Sequence, residues 1–184
     1  MRPTVFALVS LVFVGFFARM LPHPPNFTPV IAMSLLAGVY ARPRWLGIVI
    51  PFAAMFISDM VLNNTIYAAY YEGFSFFGHW GVYIAIAAAA LLPIVLKASK
   101  KSSIGALAGV GIGGATLFFL VSNLADWLSS GMYPLNIAGL IACYGAGVPF
   151  FINTLLSTLL FGGIGVAVMK MVDVKFGKLQ PVNA

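Results

Sequence analysis

The chain has 184 residues, of which 61% are hydrophobic and only 8% are charged. Soluble domains carry about 25% charged residues, so this composition excludes a soluble globular protein and predicts an integral membrane protein. The formal net charge is +6, which we attribute to membrane topology and anionic lipid rather than to a nucleic-acid partner. Because Cys143 is the only cysteine, an internal disulfide and a zinc-type cysteine cluster are also excluded.

Six apolar stretches follow one another along the chain, and most reach the roughly 17–25 residues that a helix needs to cross a bilayer. They cover residues 3–21, 27–41, 45–62, 80–96, 104–124 and 147–169. We therefore predict an all-α integral membrane protein with six transmembrane helices in a single domain, residues 1–184. The second stretch is short and begins among prolines, which predicts a tilted, broken or partly embedded helix.

The basic residues fall almost entirely on one side of this topology. With six spans both termini share a side, and Arg19 is the only basic residue opposite. The others are Arg2, Arg42, Arg44, Lys97, Lys100, Lys101, Lys170, Lys175 and Lys178. The positive-inside rule then predicts cytoplasmic termini in a multi-pass membrane protein. No small-residue cleavage site follows the first stretch, so we expect it to be retained as a helix.

A proline-rich loop, residues 21–29 with the sequence LPHPPNFTP, joins the first two stretches on the predicted outer side. Proline fixes its own φ and biases the preceding residue toward extended conformations. Such a stiff loop is suited to hold His23 and Asn26 in a set geometry as ligand contacts. The alternative is a rigid connector in which Asn26 or Thr28 caps the second helix.

Polar residues recur at one depth near the outer side. Asp59 and Asn63 are four residues apart and so share a helix face, Asn123 and Asp126 are three apart, and Asn153 lies near the outer end of the last stretch. Carboxylates inside a membrane are costly and usually functional. We predict an outward-facing binding cavity with these five residues in its wall. The alternative is architectural: Asp59 and Asp126 bond helix ends or pair with Arg19.

An aromatic-rich outer segment surrounds His79. Its members are Tyr67, Tyr70, Tyr71, Phe74, Phe76, Phe77, Trp80 and Tyr83. This density is typical of an interfacial belt, and it also suits a lid over a large flat ligand. Residues 133–146 are too short and glycine-rich for a confident span, and we expect them to lie along or dip into the outer face.

Glycines cluster toward the predicted cytoplasmic side, at Gly105, Gly109 and Gly113 and again at positions 162, 163 and 165. Small residues allow close helix approach, which predicts packing within the chain or docking of a second membrane subunit. The chain lacks a GxxxxGK[ST] phosphate-binding loop, so any pumping must be powered by a partner or an ion gradient.

Several segments resemble a known family: residues 21–29, Ser58-Asp59, residues 132–134, Cys143-Tyr144 and residues 149–155. They look like a small bacterial inner-membrane family that is similar to the substrate-binding S components of energy-coupling-factor (ECF) transporters, closest to the BtuM-type cobalamin transporters. The likeness covers nearly the whole chain. It implies six helices with both termini cytoplasmic, and a vitamin bound in an outward cavity.

The resemblance also implies particular ligand contacts, at His23, Asp59 and Tyr83. BtuM-type proteins can carry a cobalt-coordinating cysteine before the tyrosine, and this chain has none there. A neutral imidazole is also a good ligand for such ions, so we expect His79 to supply the contact to cobalt through a bound corrinoid.

The function expected from the sequence is therefore that of a substrate-binding membrane subunit for vitamin uptake, with cobalamin or a related corrinoid as ligand. It would be no enzyme and hold no intrinsic cofactor, and its partners would be a small-molecule vitamin, the lipid bilayer and an ECF transmembrane subunit with its ATPases. Two alternatives remain open: an intramembrane metal-dependent enzyme using His23, His79, Asp59 and Asp126, or an assembly or structural protein.

Overall fold

The computed structural model describes residues 3–41, 43, 45–98 and 102–175. Within them every regular element is helical. Six α-helices run in order, followed here by their bounds: α1 Pro3–Met20, α2 Val30–Tyr40, α3 Leu46–Asn63, α4 Trp80–Val95, α5 Ile104–Ser129 and α6 Ile137–Lys175. One 3-10 turn, Ala68–Tyr70, interrupts the connection between α3 and α4.

Three of these helices are long and apolar enough to cross a membrane, namely Leu46–Asn63, Ile104–Ser129 and residues 137–172 of α6. An α-helical membrane protein is thereby supported, while six complete spans remain a prediction. The orientation of the termini also remains a prediction. Six of the basic residues behind it lie outside the described residues: Arg2, Arg42, Arg44, Lys100, Lys101 and Lys178.

Helix α2 occupies the centre of the bundle. All eleven of its residues are buried, and it packs against all five other α-helices. Its length of about 16 Å is roughly half of the ~30 Å hydrocarbon core, so it is too short to cross by itself. The predicted stretch 27–41 is thus too long at both ends, because residues 27–29 form the preceding turn and Ala41 is already extended.

Helix α6 starts ten residues earlier than the sequence predicted and absorbs most of the segment 133–146. It continues through Pro149, and its 39 residues make a rod about 58 Å long. Asn136 caps it, since its Oδ1 accepts from the Gly139 N–H at 2.9 Å. The first turns pack on α5, where the Tyr144 hydroxyl donates to the Leu120 carbonyl at 2.7 Å. Residues 137–146 are therefore the start of one continuous helix and not a separate segment, and their position relative to the outer face stays a prediction.

Successive helices run in opposite directions, which divides the bundle into two ends. One end, which we call the Asp59 end, holds the last turns of α1, α3 and α5 and the first turns of α2 and α4. The other, the Lys170 end, holds the last turns of α2 and the first turns of α5 beside Lys170. The polar residues noted in the sequence gather at the Asp59 end.

Only some of the glycines near the Lys170 end are needed for helix packing. A Cβ on Gly113 would press on Leu92 Cδ2 at 3.3 Å, and one on Gly165 would strike Leu36. In contrast, a Cβ on Gly105, Gly109 or Gly162 would meet no atom within 4 Å. Close helix approach therefore explains Gly113 and Gly165, whereas the other glycines face open space.

Candidate functional site

A cavity of about 310 Å³ lies at the Asp59 end, and we call it the polar cavity. All six α-helices and the two loops at this end contribute to its wall. Its lining residues are Arg19, Asn26, Thr28, Val30, Ile31, Met55, Asp59, Asn63, Tyr67, Tyr71, Gly78, His79, Val82, Ile86, Phe118, Ser122 and Thr154. Four of the predicted ligand residues are among them: Asn26, Asp59, Asn63 and His79.

An ion pair between Arg19 and Asp59 forms the centre of this wall. Arg19 Nη2 lies 2.8 Å from Asp59 Oδ1, and the two side chains are 14% and 4% exposed. Arg19 Nη1 donates to the Ser58 hydroxyl at 2.6 Å and to the Met55 carbonyl at 3.4 Å. The predicted alternative that Asp59 pairs with Arg19 is confirmed, and the pair ties the end of α1 to α3.

The second oxygen of Asp59 receives two further donors. The Tyr83 hydroxyl donates to Oδ2 at 2.8 Å, and the Gly78 N–H donates to the same atom at 3.0 Å. Gly78 can approach so closely because it lacks a Cβ, which would lie 3.2 Å from Oδ2. Asp59 therefore connects α1, α3, α4 and the outer loop, and its two oxygens accept three hydrogen bonds.

The outer loop, residues 64–79, is fastened over the cavity by Asn64 and Ser75. Asn64 Oδ1 accepts from the Ser75 N–H at 2.9 Å, and Asn64 Nδ2 donates to the Ser75 carbonyl at 2.6 Å. Tyr67 and Tyr71 of this loop line the cavity, as a lid would. Tyr70 and Phe74, in contrast, are 83% and 64% exposed, as in an interfacial belt. Both roles of this segment, as a lid and as an interfacial belt, stay predictions.

His79 lines the cavity and also caps α4. Its Nδ1 accepts from the Gly81 N–H at 3.2 Å, and its Nε2 lies 2.9 Å from the Ser129 hydroxyl. Because that hydroxyl donates to the Ala125 carbonyl at 2.7 Å, the network assigns the ring proton to Nε2. Both ring nitrogens are therefore engaged, and coordination of cobalt would require His79 to give up one of these hydrogen bonds.

The proline-rich loop borders the cavity through Asn26 and Thr28. Asn26 adopts a left-handed φ of 61°, a conformation that asparagine tolerates better than most residues. Asn153 Nδ2 holds the loop by donating to the Pro25 carbonyl at 2.9 Å. His23 is outside the cavity lining, and its Nδ1 lies 2.8 Å from the Pro24 carbonyl.

The predicted cap of α2 is wrong. Pro29 occupies the N-cap position, and among the described residues no side chain, including those of Asn26 and Thr28, bonds the first turn. The first helical hydrogen bond there runs from the Met33 N–H to the Pro29 carbonyl at 2.8 Å. Because Val30 and Ile31 are both 4% exposed, this helix end is buried beside the cavity.

Asn123 and Asp126 lie in the contact between α5 and α6, away from the polar cavity. Asn123 Nδ2 donates to the Phe119 carbonyl at 2.8 Å. The buried Cys143 thiol lies 3.8 Å from Asp126 Oδ2. The outer polar residues therefore form two groups, one around the cavity and one between helices.

Arg19 lines the cavity but is not among the predicted ligand contacts, although it is the sole basic residue on the predicted outer side. A single buried charge such as that of Arg19 needs a partner of opposite charge, and Asp59 is that partner. Of the residues that the structure describes, no three His, Cys, Asp or Glu side chains come close enough together to hold a metal ion.

A protein-family model matches residues 1–180, and its description is Family of unknown function (DUF6580). The match covers nearly the whole chain, so the chain belongs to that family. No curated protein and no solved structure shows significant similarity to it.

Proposed function

We propose that this member of a family of unknown function is a small-molecule-binding membrane protein that takes its ligand into the polar cavity from the Asp59 end. In this role it serves as the substrate-binding subunit of a vitamin-uptake system in a bacterial inner membrane. One observation carries the proposal: a buried ion pair, amides and tyrosines converge on a cavity of about 310 Å³. Convergent polar groups in a formed pocket are the usual mark of a ligand site.

The cavity volume constrains the ligand. Ligand pockets typically measure about 300–1,000 Å³, so the cavity as it stands is at the lower end of that range. A vitamin with one or two rings fits this class, whereas a corrinoid macrocycle requires displacement of the outer loop. The corrinoid suggested by the sequence resemblance is thus a proposal that depends on loop opening.

The proposed entry step is release of the outer loop. The Asn64–Ser75 hydrogen bonds and the Gly78–Asp59 hydrogen bond hold it closed. Breaking them exposes the cavity without unfolding a transmembrane helix. Release of the ligand to the other side needs an external energy source, and an ECF transmembrane subunit with ATPases is the partner that we propose for it.

An architectural role is the second candidate, and a specific observation favours it. Both oxygens of Asp59 are already bonded within the protein, to Arg19, Tyr83 and Gly78. A purely structural Asp59 would join helices and contribute nothing to ligand affinity.

Thermal unfolding of the purified protein in detergent, measured against a vitamin panel that includes cobalamin and cobinamide, tests the proposed function. A ligand at 100 times its Kd adds about 2.7 kcal/mol to the free energy of unfolding, which gives a clear shift of the midpoint. Protein that is folded but gains no stability from any vitamin would remove the proposal.

Asp59→Asn separates the two candidates, with Asp126→Asn as the matched control outside the cavity. Both roles predict that Asp59→Asn lowers the stability of the free protein, because it leaves Arg19 without its partner. A binding role predicts in addition that the vitamin binds Asp59→Asn more weakly than Asp126→Asn. An architectural role predicts an unchanged Kd for the bound vitamin.

A further inference from the structure

A second cavity, of about 320 Å³, lies at the Lys170 end between α2, α5 and α6. Among the described residues its lining is apolar apart from Tyr40, Thr158 and Lys170. The Thr158 oxygen is itself buried, so it adds no polar surface to the wall. Lys170 is exposed, which places its ammonium group at the mouth. The second cavity is therefore an apolar slot with a cation at its open end.

The second cavity is long and narrow. Its lining residues on α6 extend from Thr158 to Lys170, twelve positions or about 18 Å along the helix. This length is close to one leaflet, which is half of the ~30 Å hydrocarbon core. Spread over that length, the volume gives a mean cross-section of about 18 Å². An α-helix with its side chains is about 10–12 Å across, so the slot admits one extended hydrocarbon chain and excludes a whole helix.

Two glycines of α6 leave the slot open. Gly162 and Gly163 both line it, and a Cβ on either would meet no atom within 4 Å. Glycine is unfavourable inside a helix compared with alanine, and no contact in the described protein requires it at these two positions. The space beside them is therefore available to a molecule from outside the chain.

Basic residues concentrate at the mouth of the slot. Lys97 belongs to the Lys170 end because Ala98, the next residue, packs against the cluster that contains Met169. The chain segments that flank the helices at this end contain further basic residues: Arg42, Arg44, Lys100, Lys101, Lys175 and Lys178. Asp173 is the only acidic residue in those segments. Each basic residue near a membrane surface strengthens binding to anionic lipid about fivefold, so this end favours a negatively charged headgroup.

We infer that the second cavity binds one acyl chain of an anionic phospholipid, with the lipid phosphate beside Lys170 and the end of the chain beside Thr158. Basic pockets between transmembrane helices bind anionic headgroups, and the apolar slot takes the attached chain. The bound lipid would fill the gap that α2, α5 and α6 leave between them. The site is separate from the polar cavity and does not depend on the proposed function.

Paired lipid probes test the headgroup. Phosphatidylglycerol and phosphatidylcholine with identical acyl chains are added to the delipidated full chain in detergent. Thermal unfolding reports binding, and native mass spectrometry counts the lipids bound per chain. We expect one tightly bound phosphatidylglycerol, with an affinity about fivefold above that of phosphatidylcholine. Equal affinities for the two lipids would overturn the inference.

Gly163→Leu tests the slot by filling it, with Gly145→Leu as the matched control. Gly145 is also on α6, and a Cβ there meets no atom within 4 Å, but it lies outside the lining. We expect Gly163→Leu to bind phosphatidylglycerol at least about tenfold more weakly, because excluding only two CH₂ groups has that effect. Ala167→Leu fills the slot one turn further along and serves if Gly163→Leu does not fold. Wild-type binding by either folded variant would contradict an acyl chain in the slot.

Lys170→Gln tests the position of the phosphate. Lys97→Gln removes the same charge at the same end, from a residue outside the lining. We expect Lys170→Gln to bind the two lipids about equally and Lys97→Gln to keep most of the preference for phosphatidylglycerol. A full preference in Lys170→Gln would show that the headgroup lies elsewhere and would overturn the site.

Two further results identify a different occupant. Thr158→Val should leave the affinity for phosphatidylglycerol unchanged, since the end of an acyl chain has no hydrogen-bond acceptor; weaker binding would indicate a ligand with an oxygen atom there. If native mass spectrometry shows a dimer that Gly163→Leu dissociates, the slot belongs to a contact with a second copy of the chain. Either result overturns the lipid site and leaves the proposed function of the polar cavity standing.

Discussion

Two cavities of nearly equal volume share α2 as a wall, yet they differ in chemistry. The polar cavity measures about 310 Å³, and a second cavity at the Lys170 end measures about 320 Å³. We call the second one the apolar groove. It is lined by Ala32, Leu35, Leu36, Val39, Tyr40, Ile104, Leu107, Ala108, Val110, Gly111, Thr158, Leu159, Gly162, Gly163, Val166, Ala167 and Lys170.

The difference shows why cavity size alone does not identify a ligand site. Among the described residues, the Thr158 hydroxyl in the apolar groove is buried without a hydrogen-bond partner, and Lys170 is the one charged residue in the lining. The polar cavity instead contains a charge pair whose partners are fixed by several hydrogen bonds. Such fixed polar groups give orientation and specificity to a bound solute.

Loss of Arg19 should lower the stability of the protein by the largest amount. Arg19→Gln leaves the Asp59 carboxylate buried without its cation, which typically costs about 3–5 kcal/mol of stability. Unfolding of the purified variant in detergent measures this loss of stability. Adding Asp59→Asn should restore most of the loss. A cost below about 1 kcal/mol would mean that the ion pair is effectively solvated and that the cavity is not a dry, preorganised site.

Tyr83→Phe should cause the next largest loss of stability. It removes a hydrogen bond to a carboxylate, and such bonds contribute about 1.5–3 kcal/mol. Tyr144→Phe is the matched control, because the Tyr144 hydroxyl donates to a neutral carbonyl, for which about 0.5–1.5 kcal/mol is expected. Equal losses in the two variants would argue against a special role for the Asp59 network.

Thr154 and Thr158 lie one turn apart on α6, and each lines a different cavity. Substituting each threonine therefore compares the two cavities directly. Thr154 lines the polar cavity, and its hydroxyl donates to the Phe150 carbonyl at 2.9 Å, whereas the Thr158 hydroxyl has no partner in the part of the chain that the structure describes. Thr154→Val should lower stability by about 0.5–1.5 kcal/mol and Thr158→Val should raise it by about 1 kcal/mol. A destabilised Thr158→Val protein would show that the groove holds a hydrogen-bond acceptor for this hydroxyl.

Gly162→Ala should cause the smallest change in stability, and that change should be a gain. A Cβ there meets no atom within 4 Å, so the substitution should stabilise the helix by about 0.5–1 kcal/mol. Gly165→Ala is the control on the same helix, and its Cβ would strike Leu36, at a cost of about 1–3 kcal/mol. If Gly162→Ala is the more harmful change in native membranes, a second subunit covers this face.

Part of the candidate site could be predicted from residue spacing. Asp59 and Asn63 line one cavity because residues four apart share a helix face, and both were expected there. The separation of Asn123 and Asp126 from them depends on how α5 rotates against α6, which spacing does not specify. His79 was expected as a ligand contact, but its capping bonds to Gly81 and Ser129 involve a helix end and a distant residue.

The sequence by itself determined that this is a helical membrane protein, because apolar runs of this length and so little charge leave no other stable arrangement in lipid. It also placed the polar groups near one end, since 1.5 Å per residue fixes depth along a helix. Only the tertiary structure decided that α2 begins inside the bundle, that Arg19 meets Asp59, and that α6 runs unbroken from Ile137. These features depend on contacts between residues far apart in the chain, such as the 2.7 Å hydrogen bond from Tyr144 to Leu120.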